Sequence, residues 1–274
     1  MDLRTIDQAL PRLNPHLSVL LASFALFNVV HLVVVPILGR VLVPAQWKCL
    51  NARARNNWAA HICSQLHAII ILPLALRCLA LPELDADRAF GWHERSGTVQ
   101  AVACGYFLWD TIDALVNFED IGFVLHGLAC LAIYLLSFQP FLAYYASRCL
   151  LWEASTVFLN IHWALDKTNR TGGTFQLVNG IFLLLTFFSV RLVYGGITSY
   201  QFFHTLYNGR HEIAPVALAI TGVGNILLQG LNWFWFVKMI TALRKRFAPA
   251  KKHQNGVAQN GVGALQNGLH KKNE

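Results

Sequence analysis

Residues 98–163 hold three apolar segments in succession, and each carries ionisable side chains where a bilayer would have to accommodate them. The first has Asp110 and Asp113, the second His126, the third Arg148 and Glu153. One charged group at mid-bilayer costs about 2.5–3.5 kcal/mol even on insertion scales. Three neighbouring spans bearing such groups are expected to turn their polar faces toward one another or toward a wet cavity, and away from lipid.

Apolar runs of about 20 residues, long enough to span hydrocarbon, recur along the rest of the chain. Of the 274 residues, 55% are hydrophobic and only 13% charged, roughly half the charge of a soluble domain, which is about 25%. The pattern predicts an all-α polytopic membrane protein with a bundle of about seven transmembrane helices. The spans are expected at 17–38, 58–81, 98–116, 121–138, 142–163, 175–195 and 213–243. Residues 196–212 read as an aromatic connection along the interface. The chain divides into 1–57 (a lumenal segment, the first span and a basic loop), a membrane domain over 58–247, and a tail over 248–274. The tail repeats Gln-Asn-Gly and has little to bury, so disorder is expected there.

The net charge of +8 does not indicate nucleic-acid binding, because of where the cations lie. Arg40, Lys48, Arg53 and Arg55 share one loop, and seven of the 22 Lys and Arg follow residue 243. Loop 82–97 has two arginines against four acids. Basic loops stay on the cytosolic side, so the N-terminus is predicted lumenal and the C-terminus cytosolic. Residues 1–16 show no cleavable signal pattern. Lys271-Lys272-Asn273-Glu274 resembles the dilysine signal that the COPI coat reads, and it predicts the endoplasmic reticulum membrane. In that topology the sequon at Asn169 is cytosolic and unused. The six cysteines lack CxxC spacing and read as free thiols.

Helical spacing groups the polar residues. Asp110, Asp113 and Asn117 fall at i, i+3 and i+7, on one face. Glu153, Thr156 and Asn160 do the same. Thr221, Asn225, Gln229 and Asn232 make a stripe expected to face the bundle interior. Arg148 lies about 140° round the helix from Glu153, so Asp110 is its alternative partner across helices. Two readings of this set stay open: an ion-pair network that fixes helix packing, or the lining of a substrate or lipid cavity. His31 reads as a packed or interfacial histidine, and Arg77 as a snorkelling one near a span end.

The run Gly105-Tyr-Phe-Leu-Trp-Asp110, then Phe123-Val-Leu-His126, Arg148-(x)4-Glu153-Ala-Ser155-(x)4-Asn160, Val178-Asn-Gly180 and Phe187-Phe-Ser-Val-Arg191 resembles the TLC-domain family over roughly residues 58–247. That family includes ceramide synthases, translocon-associated membrane proteins and small TLC-domain-containing proteins, and the last branch is the nearest in pattern. The resemblance implies a helical bundle around a cavity for lipid chains. In the ceramide synthases a His-His pair in the fourth span is tied to activity; here His126 matches its first member and Gly127 stands at the second.

Three functions follow as expectations. The first is handling or sensing of lipid acyl chains, with an influence on membrane lipid composition. The second is a ceramide-synthase-like N-acyltransferase using acyl-CoA and a sphingoid base, in which His126 would be the base and Asp110 and Glu153 would support it. The third is a trafficking or cargo receptor. Polar residues expected to line the cavity are Asp113, Arg148, Asn160, Arg191, Asn225 and Gln229. Membrane lipids are the expected partners, with acyl-CoA in the second reading. No cofactor is expected: His126, Asp110 and Glu153 are suitable zinc ligands, but nothing in their spacing demands a metal.

Overall fold

The computed structural model describes residues 9–139 and 141–247. The tail with Lys271 and Lys272 lies outside the described residues, as does Pro140. Seven long helical segments are present among the described residues. They are α1 (Asn14–Leu42), α2 (Ala52–Leu76), α3 (Glu94–Val116), α4 (Ile121–Leu136), α5 (Ala143–Cys149, a 3-10 turn Leu150–Trp152, then Glu153–Lys167), α6 (Thr174–Asn208) and α7 (Pro215–Phe247). The fold is all-α, as expected.

The count of spanning helices differs from seven. Five of the segments, α1, α2, α3, α6 and α7, are long and apolar enough to cross a membrane. Helix α4 has 16 residues, about 24 Å at 1.5 Å per residue, against a hydrocarbon core of about 30 Å. Helix α5 is interrupted by its 3-10 turn immediately before Glu153, and its polar face lowers its hydropathy. Residues 196–212 also differ from expectation, since α6 continues to Asn208. Gly195, Gly196, Thr198 and Ser199 weaken the apolar signal there. The helix persists because its polar groups have partners: Gln229 Nε2 donates to Ser199 Oγ at 3.0 Å, and Thr205 Oγ1 lies 2.6 Å from the Tyr145 hydroxyl.

Side-chain caps mark the starts of α2 and α4. Asn51 Oδ1 accepts the Ala54 N–H at 2.8 Å, and Asp120 Oδ1 accepts the Gly122 N–H at 2.8 Å, each occupying one of the N–H groups that a first turn leaves free. Two helices widen into π geometry, α1 over Val30–Val34 and α6 over Phe187–Val193. The first precedes Pro36, which has no N–H to give to the preceding turn. The second contains no proline.

Packing closes six helices into a ring in the order α2, α3, α4, α7, α6, α5 and back to α2. Helix α1 stands outside the ring against α3 and α2. A side chain at Gly105 would run into the α1 backbone at Leu20 and Phe24, so glycine is what lets α1 and α3 approach there. One end of the ring is sealed by buried contacts. Gln100 Nε2 donates to Ser96 Oγ at 2.8 Å, Ser96 meets Ser147 at 3.1 Å, and the Ser137 hydroxyl bonds Gln100 Oε1. The other end, formed by residues 51–57, 117–120 and 168–173 with the last turns of α7, leads into a cavity.

Candidate functional site

The cavity occupies about 370 Å³ inside the ring, and all six ring helices contribute to its wall. The helical spacing of α3 brings Tyr106, Asp110, Asp113 and Asn117 to it, and that of α4 brings Phe123 and His126. Glu153, Thr156 and Asn160 line it from α5. The π turn of α6 supplies Phe187 and Arg191. Single π-turns inside α-helices recur at functional sites, and this one carries the only arginine among the described residues of the wall.

Arg191 is buried and fully engaged. Its Nε donates to Ser155 Oγ at 2.9 Å, Nη1 to Asn232 Oδ1 at 3.2 Å and Nη2 to Thr156 Oγ1 at 3.1 Å. Nη2 also lies 3.7 Å from Glu153 Oε1. The second carboxylate oxygen of Glu153 is 4.0 Å from His67 Nδ1. The His67 ring is completely buried and stacks on Tyr106 at 3.8 Å with planes 6° apart. Glu153 is thus held between a guanidinium and an imidazole, and its charge is balanced inside the protein.

Nearer the mouth, Asp113 accepts hydrogen bonds from Asn117 Nδ2 at 2.9 Å and Asn56 Nδ2 at 3.3 Å. Asn56 Oδ1 is 2.9 Å from His31 Nε2, so α1 joins the mouth through the histidine that its π turn carries. His61 Nδ1 meets Asn160 Oδ1 at 2.7 Å, and Asn160 Nδ2 donates to Ser64 Oγ at 3.2 Å. At the rim, Lys238 pairs with Asp120 at 3.6 Å and Arg53 with Glu119 at 3.6 Å.

Asp110 is different. It lines the cavity at the level between Tyr106 and Asp113, and it makes no hydrogen bond or ion pair with any described residue. His126 likewise has no carboxylate within hydrogen-bonding reach among the described residues. Its ring nitrogens lie 3.8 and 3.9 Å from Cys130 Sγ, and Trp235 packs edge-on to it at 5.5 Å. At the neighbouring position, a Cβ on Gly127 would sit 2.7 Å from Thr111 Oγ1 and 3.3 Å from Asp110 Oδ2. The α3–α4 contact leaves no room for a second histidine.

Of the residues expected at the cavity, Asp110, Asp113, His126, Glu153, Asn160 and Arg191 meet there. Arg148 does not. It lies at the sealed end, 3.2 Å from Asp85 Oδ1, with its guanidinium 3.3 Å over the Tyr144 ring, so it pairs with neither Asp110 nor Glu153. Gln229 packs on Ser199 of α6, and Asn225 is buried outside the cavity wall. Of that stripe it is Asn232 that approaches the site, through Arg191. Sequence reasoning did not single out His67. The available signal was a lone imidazole in an otherwise apolar run, His67-Ala-Ile-Ile-Ile. Among the described residues, no group of three or more His, Cys, Asp or Glu is arranged to hold a metal ion.

Comparison with known proteins places this geometry. The TLC domain family model matches residues 57–241. An uncharacterised TLC domain-containing protein of Schizosaccharomyces pombe is 37% identical over 246 residues, which is 89% of this chain and 84% of that protein. Topoisomerase I damage affected protein 4 of Saccharomyces cerevisiae is 30% identical over 244 residues, 86% of this chain and 87% of its own length. TLC domain-containing protein 4 of Homo sapiens is 26% identical over 198 residues, 69% of this chain and 75% of its own. The chain is therefore a multi-pass α-helical membrane protein of the TLC domain family, whose members are generally concerned with membrane lipids.

Proposed function

We propose that the protein binds a membrane amphiphile by its polar head group inside the ring, and through that binding handles or senses lipids in the membrane of the endoplasmic reticulum. The observation that carries this is Asp110. The other carboxylates of the wall have internal partners: Asp113 has Asn56 and Asn117, Glu119 has Arg53, and Glu153 has Arg191. A carboxylate in a low-dielectric cavity without a donor is costly. A ligand that brings a hydrogen-bond donor or a cation relieves that cost, which is how a site selects such a head group. The test is lipid analysis of protein purified in mild detergent. A specific amphiphile should co-purify with the wild type and be lost from Asp110→Asn. Purified protein with no lipid above a detergent blank would sink the proposal.

A second reading, the acyltransferase, is favoured by His126, Asp110 and Glu153 sharing one cavity. Against it, a general base is ordinarily oriented by a hydrogen-bonded third group, and here neither carboxylate bonds His126: Glu153 pairs with Arg191, and Asp110 bonds no described residue. Sphingoid base and acyl-CoA offered to the protein in nanodiscs decide the matter. Product that disappears in His126→Ala establishes the enzyme; absence of product from folded protein leaves binding as the activity.

The address belongs to the same proposal. The basic loop 39–57 and the end of α7 lie at the mouth, so a cytosolic mouth satisfies the charge bias. The Lys271-Lys272 pair is then cytosolic, where a coat can read it. Loss of reticulum localisation on Lys271→Ser with Lys272→Ser is the expected result.

A further inference from the structure

The cavity is small for what it is proposed to hold. Ligand sites run about 300–1,000 Å³, and about 370 Å³ is at the low end. It accommodates a head group and the beginning of a chain. The remainder of an amphiphile must leave the ring, and the ring has one weak side.

Helix α6 is divided in its loyalties. Its mouth half, Thr174–Thr186, packs on α5. Phe182 stacks on Phe158 at 5.7 Å, and Asn179 Nδ2 donates to the Phe158 carbonyl at 2.9 Å. The main packing of α6 on α7 begins at the π turn, with Phe187 and Phe188 against Phe236 at 6.1 and 5.9 Å. From that junction to the mouth the two helices follow different neighbours. Leu159 of α5 lines the cavity and is nevertheless 40% exposed, whereas Phe187, at the junction, lines it and is 4% exposed. Met239 and Trp235 line the opposite edge from α7. The flanking outer surfaces are apolar, with Ile181, Leu185, Trp233 and Val237 all exposed.

We infer that the gap between the mouth half of α6 and helix α7 is a lateral portal, closed below by Phe187 and bordered by Leu159 and Met239, through which the chain of a single-chain amphiphile passes from the cavity into the bilayer. This rests on the head-group reading of Asp110. A single chain fits because one edge is a leucine and the other an unbranched methionine, whose flexible thioether adapts to a sliding chain. The chain meets apolar surface throughout, so the hydrophobic gain it has in lipid is not surrendered on binding.

The experiment uses the full-length protein in phosphatidylcholine nanodiscs. The probe is a long-chain primary amine with a diazirine midway along its chain and a terminal alkyne. After photolysis, labelled residues are located by peptide mass spectrometry, and untagged amine serves as competitor. Label is expected on Leu159, on Met239 or on the α6 segment 178–187. Asp110→Asn should weaken competition by about 10–100-fold, the loss of one charge-assisted bond. Leu159→Trp and Met239→Trp, which narrow the portal from opposite edges, should each lower labelling by about 10-fold at unchanged thermal midpoint, an effect of about 1.4 kcal/mol. If Asp110→Asn weakens competition but the label falls on Asn117 and Lys238, and both tryptophan variants label like wild type, the portal is wrong and the head-group site stands. If wild type is not labelled, or Asp110→Asn competes equally, the head-group reading falls and the portal with it.

Discussion

Arg191 and Glu153 form a buried pair whose partners are all internal, and single and double substitutions should separate its parts. Arg191→Met leaves Glu153 in the core beside an apolar side chain, and removing one member of such a pair costs about 3–5 kcal/mol. Glu153→Gln with Arg191→Met should recover a large part of that, because no uncompensated charge remains. Thermal unfolding in detergent across the four proteins gives the coupling; purely additive losses would show that the two side chains act independently. Gly127 makes the second prediction at this scale. Gly127→Ala drives a methyl against Thr111 Oγ1, itself bonded to the Phe107 carbonyl at 2.7 Å, and overpacking of this kind costs about 1–3 kcal/mol. Gly127→His, which would recreate a paired histidine, should lower the yield of folded protein sharply and confer no new activity. A folded, well-behaved Gly127→His would mean that α3 and α4 are farther apart than described.

At the scale of elements, helix faces were readable from spacing, and helix partners were not. Asp110, Asp113 and Asn117 share a face because 3.6 residues make a turn, and that holds whatever the face meets. Arg148 illustrates the other case: its angular distance from Glu153 was legible, but its partner Asp85 comes from the short helix Pro82–Ala86, which sequence periodicity does not position. His67 was hidden for a related reason. Its apolar neighbours mark it as buried, and only packing against Tyr106 and Glu153 gives it a role. The start of α4 can be tested directly. Asp120 caps Gly122 and pairs with Lys238. Asp120→Ala removes both and should cost about 1 kcal/mol or somewhat more, mostly the cap. Asp120→Asn keeps the cap and should cost a few tenths, as exposed ion pairs do. Equal losses in the two variants, measured as shifts in unfolding midpoint, would assign the effect to the ion pair.

For the whole molecule, alternation of the seven segments fixes which loops share a side, and one glycosylation experiment reads it. Residues 51–57, 117–120 and 168–173 lie at the mouth, and 82–93 and 209–213 at the sealed end. With a cytosolic mouth, Asn169 stays unmodified, and an acceptor sequon inserted into 82–93 is glycosylated. The reverse pattern on microsomes would turn the protein over and put the mouth in the lumen. The even spacing of apolar runs made the bundle itself legible in the sequence. The order of helices around the ring was not, since α7 closes between α4 and α6, a contact between elements distant in the chain.

The position of α1 has a consequence for how the protein is made. Its main neighbour is α3, not the α2 that follows it. Ser23 donates to the Val102 carbonyl at 2.8 Å, and His31 reaches the Asn56–Asp113 pair. When α1 enters the bilayer, Asn56 follows directly in α2, whereas the Val102 carbonyl and Asp113 come only with α3. The imidazole of the first helix thus finds its partner with the second, while the Ser23 hydroxyl meets its cross-helix acceptor only when the third arrives.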